Sequence, residues 1–374
     1  MSFSLRSRKI STISLRKLSL VIFGIFCVQL ILNFIVVDVE SPEVLESVRN
    51  SYETDPKALD FLVRLPRNVL IVEPFHGLGN RLRAYACAAA LAKKSNRHLV
   101  IIWIRDVHVN ASMSALFETG NLTVIDFPVS HLLSIVWDDA KVYDYNVWGR
   151  KDEVMQDTMP LPIYVRSAYV LQSQTHVEET EISKELNSLM PSEQVQRRVN
   201  QMKSLLVEKK NLVGMHIRMM TDIRKDVPGI ENYSQENPAS AAHMGPVEQE
   251  RSRCHYEAFM PHMEQCIREN PKVSFFVASD SSLAVSALRA RYPERIISGG
   301  LEGCEGELRR RTNCLQSCLA EFLVFSRETS FMILSEWSSA SELLIRLSQD
   351  TVPHKTGCLK KSSSLRARLG RLWA

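Results

Sequence analysis

Two short runs carry residue types suited to gripping a phosphate. His76-Gly77-Leu78-Gly79-Asn80-Arg81 follows an apolar run at 69–72 and opens an alanine-rich stretch. His216-Ile217-Arg218-Met219-Met220-Thr221-Asp222 follows the apolar Leu212-Val213-Gly214-Met215. A glycine turn that opens a helix exposes backbone N–H groups at the positive end of the helix dipole. An arginine just past a strand end offers its guanidinium fork to two oxygens of a diphosphate. Set in two halves of one chain, these runs predict a nucleotide-linked ligand held between domains.

Each residue carries a functional reading and a plain one. Gly77 and Gly79 fall short of the dinucleotide fingerprint, because Leu82 stands where its third glycine belongs, so a nicotinamide or flavin enzyme is disfavoured. Asn80 and Arg81 place an amide and a guanidinium beside free backbone N–H groups; the alternative is a helix cap with a solvated arginine. His216 and Arg218 alternate on a strand end and so face one side, with Arg218 able to offset charge building on a leaving group. With Asp222 they form the candidate catalytic set. The alternative for Arg218 is a brace between strand ends, through Asp222 or Asp280. Asp280 can accept hydrogen bonds from a base or ribose, or cap a helix. Ser338 and Ser339 offer hydroxyls and amides to a phosphate, or a cap. Asp-x-Asp is a common way to hold a divalent ion at a diphosphate, and no such triplet occurs in the chain. A diphosphate leaving group would then be neutralised by arginine and helix N-termini, with no metal or other cofactor.

These residues need strands that end beside them. Strands are expected at 69–72, 98–104, 122–127, 211–216, 273–278, 295–298 and 330–334. Helices are expected at 81–95, 193–209, 247–270, 283–292, 312–326 and 340–347. Continuous apolar runs alternating with helical stretches are the mark of parallel sheets covered on both faces. Between 128 and 191 the pattern loosens, and the polar stretch 218–246 reads as a lid or acceptor platform. The fold class predicted is α/β with two Rossmann-like halves facing a cleft, at 66–191 and 192–350, with ligand at the carboxyl ends of the strands.

The chain has 374 residues and a net charge of +4, with basic clusters at both ends. A nucleic-acid binder would carry its excess on the folded face, so that partner is excluded from the expectation. Residues 18–37 form an uncharged, largely apolar stretch of bilayer-spanning length, with basic residues before it and acidic ones after. It predicts a signal-anchor with a cytosolic tail at 1–17, a stem at 38–65, a lumenal body and a basic tail at 351–374. Sequons at Asn110, Asn121 and Asn232 agree with a lumenal body. Seven of the eight cysteines follow the span, an odd number that leaves at least one thiol unpaired within the monomer. Disulfides or buried thiols are expected of them rather than zinc.

Gly77-Leu-Gly79-Asn80-Arg81-Leu82, His216-Ile-Arg218-Met-Met-Thr221-Asp222, Phe276-Val-Ala-Ser279-Asp280 and Leu334-Ser-Glu-Trp337-Ser338-Ser339 occur in that order. Together they resemble the motifs of the α1,2-, α1,6- and protein O-fucosyltransferase superfamily, over roughly residues 69–348. The His-x-Arg-x-x-Thr-Asp run is especially similar to the α1,6 core-fucosylating branch. Met219 and Ala340 depart from the family pattern, where a second arginine and a phenylalanine stand; the first bears on α1,6 linkage, the second on the phosphate pocket. The resemblance implies a GT-B fold and an inverting, metal-independent transfer of L-fucose from GDP-fucose to a glycan or glycoprotein. It implies Arg218 on the β-phosphate, Asp280, Ser338 and Ser339 on the nucleotide, and Asn80 in the glycine loop. A Golgi membrane location is expected, or else the endoplasmic reticulum. The rivals are a sugar-binding protein of the same fold without catalysis, a glycosyltransferase using another nucleotide sugar, and a sulfotransferase. The last lacks its phosphate loop here.

Overall fold

The computed structural model describes residues 56–145, 150, 152–207, 209, 211–219, 254–299, 304, 311–335, 338–348 and 353–356. The expected membrane span, most of the polar stretch at 218–246, Asp222 and the Asn232 sequon lie outside the described residues. Among the described residues no helix is long and apolar enough to cross a membrane. The chain divides into two compact units, Met1–Val63 and Arg64–Ala374. Helix α1 (Pro56–Val63), in the stretch read as stem, is the described part of the first. All that follows belongs to the second.

Two five-stranded sheets form its frame. The first contains β1 (Val69–Pro74), β2 (His98–Ile102), β3 (Thr123–Ile125), β4 (Lys141–Asp144) and β5 (Ile163–Ser167) in the order β3-β2-β1-β5-β4. The second contains β6 (Leu212–Ile217), β7 (Ser274–Ser279), β8 (Ile296–Ile297), β9 (Phe331–Leu334) and β10 (His354–Thr356) in the order β10-β9-β6-β7-β8. Every pairing is parallel. The central strands β1 and β6 are buried at every position, and the first four residues of each read as an apolar run. In each sheet the chain turns back beside its central strand, between β1 and β5 and between β6 and β9. At such a reversal the connections leave on opposite faces and open a crevice at the strand carboxyl ends.

The helices bring those two crevices to one place. In the first half, α2 (Leu78–Lys94) is buried along 13 of its 17 residues, and its alanines allow close approach by α3 (Glu179–Asn187). Lys93 and Lys94 sit in its last turn, where the dipole favours them. The second half adds α4 (Glu193–Ser204), α5 (Met260–Glu269), α6 (Ser282–Arg291), α7 (Thr312–Glu328) and α8 (Ser339–Leu347). Helix α7 packs on α4, α8 and β6, and α8 packs on α2 and α3, joining the halves.

Three strands differ from expectation. β4 and β5 lie in the loosened stretch; β5 is central, yet Arg166 and Ser167 at its end break the apolar run. β10 falls within the stretch read as a basic tail and pairs with β9. Of the helix expected at 247–270, residues 247–253 lie outside the described residues, and the rest holds a 3-10 turn at Tyr256–Phe259 followed by α5, which has its proline in the first turn. Cys304 and Cys314 form a disulfide and Cys254 is also disulfide-bonded, while Cys87 and Cys318 are free thiols. Burial pushes Cys318 up to about 12, and it is inert as a nucleophile at neutral pH.

Candidate functional site

Arg218 lies just past the end of β6, at the reversal beside β9. Its Nη1 is 3.0 Å from Asp280 Oδ2 at the end of β7, and 35% of its side chain stays exposed. Its amide donates to Ser335 Oγ at 2.9 Å, and Ser335 Oγ donates to the His216 carbonyl at 3.1 Å. Ser335, wholly buried at the end of β9, thus ties that strand to β6 and sets where the arginine emerges. Asp280 also accepts the Met219 amide at 2.8 Å. Burial pushes its carboxyl up, and Arg218 and that amide pull it back. The brace between strand ends is therefore real, and one face of Arg218 remains open. Ser281, and not Asp280, is the N-cap of α6. The Asp280 carboxylate is engaged by Arg218 and the Met219 amide in this structure.

His216 does not belong with Arg218. It is 5% exposed, its Nδ1 lies 2.7 Å from Ser341 Oγ on α8, and its ring meets Phe322 of α7 edge-on at 5.8 Å. Burial and the Arg218 charge push its imidazole down to about 3, so it is neutral and structural. The two residues do alternate, but His216 lies inside the strand, where α7 and α8 cover the sheet. Arg218 lies beyond that cover. The catalytic expectation for His216 is corrected on that ground.

The glycine turn divides in the same manner. Arg81 is 1% exposed: Nε donates to the His76 carbonyl at 2.9 Å, Nη1 to Ile104 at 2.5 Å, and Nη2 pairs with Asp106 at 2.7 Å. Its guanidinium also lies over Trp103, 5.3 Å from the ring centroid. It pins the 104–106 loop and has no face left for a ligand, so both the ligand reading and the solvated one are corrected. Asn80 is half-buried, with Oδ1 accepting from Arg83 at 3.0 Å. Gly77 is the N-cap of α2 in extended backbone (φ −65°), and a Cβ there would meet nothing within 4 Å. Neither conformation nor packing demands glycine there, and the space beside it is open. Gly79 has the opposite role: a Cβ there would lie 3.1 Å from the Ser339 carbonyl oxygen and 3.3 Å from its Oγ. Its bare backbone lets the N-terminus of α2 meet that of α8.

Ser338 is the N-cap of α8, its Oγ accepting from the Ala340 amide at 3.3 Å, so the capping alternative holds for it. Arg83 and Glu342 form an ion pair from α2 to α8, and Arg346 of α8 pairs with Glu342 and with Glu179 of α3. Arg83, Ser335 and Glu342 escaped the sequence reading. Spacing carries no sign of partners 259 residues apart. Among the described residues no group of three or more His, Cys, Asp or Glu is arranged to hold a metal ion.

No protein-family model and no curated protein matches the chain. Among solved structures it is similar to NodZ alpha-1,6-fucosyltransferase soaked with GDP-fucose, at 14% identity and a TM-score of 0.48, over 75% of this chain and 92% of that one. It is similar to POFUT1 in complex with GDP, at 14% identity and 0.46, over 79% and 100%. A mutant of FUT1 from Arabidopsis thaliana in complex with GDP gives 14% identity and 0.47, over 84% and 79%. Likeness at this level decides nothing about activity, which has to be read from the residues.

Proposed function

We propose that the protein is a glycosyltransferase that transfers L-fucose, with inversion, from GDP-fucose to a glycan or glycoprotein. The observation that carries this is Arg218. It is a cation at the reversal between β6 and β9, held by Asp280 and Ser335 with one face open. The N-terminus of α2 belongs to the same junction, since Gly79 and Ser339 bring α2 and α8 together there, and the space beside its N-cap Gly77 is open. A diphosphate between them would meet a guanidinium and helix N–H groups, the donors such a leaving group needs when no metal serves it. The Asn80 side-chain NH2 is a further donor at that turn. The fucosyl and GDP identities rest on the motif resemblance. Membrane anchoring and a Golgi location rest on the stretch at 18–37 and remain part of the same proposal.

The experiment is a melting curve of the protein with GDP, UDP or neither, in the presence of a chelator. GDP is expected to raise Tm by mass action, by about 2.7 kcal/mol of stabilisation at a hundredfold excess over Kd. Greater stabilisation by UDP would remove the fucosyl-donor assignment, and a requirement for manganese would remove the metal-free one.

A further inference from the structure

The loop after β1 holds a feature that the phosphate site does not use. His76 has a left-handed backbone, φ 63°; its carbonyl accepts from Arg81 Nε at 2.9 Å, and the amide of the preceding Phe75 donates to the Ser167 carbonyl at 2.9 Å. Its half-buried ring meets the exposed His108 ring edge-on at 5.4 Å. It stands three residues before Gly79, whose bare backbone meets Ser339, and so on the turn that brings α2 to α8. The carboxylates along these edges are committed to cations. Glu73 pairs with Arg166, Asp106 with Arg81, Asp280 with Arg218, and Glu342 with Arg83 and Arg346. The bases left along these edges among the described groups are imidazoles, the half-buried one of His76 and the exposed one of His108.

We propose that His76 is the general base of the transfer, accepting the proton of the acceptor hydroxyl. This rests on the function proposed above. The acceptor oxygen bonds the anomeric carbon as the bond from that carbon to the diphosphate breaks. The electron pair goes to the β-phosphate oxygen beside Arg218, and the proton goes to a ring nitrogen of His76 and then to water. Burial and His108 push this imidazole below its ordinary value, Arg166 and Arg81 add to that, and Asp106 opposes it. A neutral imidazole at neutral pH is the form a base requires.

The test uses the full chain, with GDP-fucose as donor and water as acceptor, following GDP release against pH beside the GDP melting shift. His76→Asn keeps a residue type that accepts the left-handed backbone. It is expected to retain the GDP shift, to slow hydrolysis by about a hundredfold or more and to lose the acid limb of the rate profile. His108→Gln removes a group that lowers the His76 value, so the acid limb should move to higher pH. Hydrolysis by His76→Asn near the parental rate, with the acid limb in place, overturns the base and leaves the donor site standing. A parent protein that GDP does not stabilise overturns the donor site, and the base falls with it.

Discussion

Arg218 is both brace and candidate catalyst, and the two roles separate on substitution. Arg218→Ala leaves the Asp280 carboxylate buried without its cation. A fully buried pair broken in this way costs several kcal/mol, but Arg218 is a third exposed, so about 1–2 kcal/mol is expected. Arg218→Lys restores a charge beside Asp280 without the planar fork. Lysine should therefore recover most of the melting temperature while turnover stays down by on the order of a hundredfold, the usual cost of one transition-state donor. Calorimetry and GDP-fucose turnover on the same preparations decide it. Recovery of both by lysine would reduce Arg218 to a brace.

At the scale of elements, the second half depends on how closely α7 lies on β6. Gly214 sits in the middle of that strand, and a Cβ there would lie 2.5 Å from Cζ of Phe325 on α7. The glycine is thus a packing requirement, since the ring occupies the space any side chain would take. Gly214→Ala is expected to destabilise the protein by about 1–3 kcal/mol, the usual cost of overpacking a tight core. Chemical denaturation would measure it. Phe325→Leu in the same chain should return part of the loss, because it clears the colliding ring atoms. An additive double mutant would mean the two positions do not press on each other.

For the whole molecule, two buried groups set opposite limits on stability against pH. His216 is pushed down to about 3, so the unfolded chain binds its proton first, and stability is lost as pH falls from 6.5 towards 3. Glu321 on α7 is 2% exposed and bonded to the Gly299 amide, and burial pushes it up to about 8. The folded state keeps that proton longer, so its contribution is present below 4.5 and is lost as pH rises towards 8. Between 4.5 and 6.5 the two slopes cancel. Stability should therefore climb from about pH 3, level off, and fall above 6.5, at about 1.4 kcal/mol per pH unit on each limb. Glu321→Gln keeps an acceptor for Gly299 and should flatten the alkaline limb in melting curves taken from pH 6 to 8. An unchanged limb would assign that loss to other groups.

The sequence by itself determined most strands, most of the helices between them, though not α3, and the strand-end positions of Arg218, Asp280 and the glycine turn. Apolar runs that stop at polar residues report burial and its end, and both are local properties. It missed β4, β5 and β10, which are short or interrupted by polar side chains, so period and length carried no signal for them. The use of each polar group was decided only by tertiary structure. His216 and Arg218 share a strand end and a side, yet helices cover one and not the other. Arg81 and Asn80 are neighbours, yet one is bound on every edge and the other keeps an open donor. Gly77 and Gly79 are two residues apart, one bare towards open space and one against Ser339. Whether a polar side chain meets solvent or a partner depends on elements up to 259 residues away, packed against it only once the two halves have met.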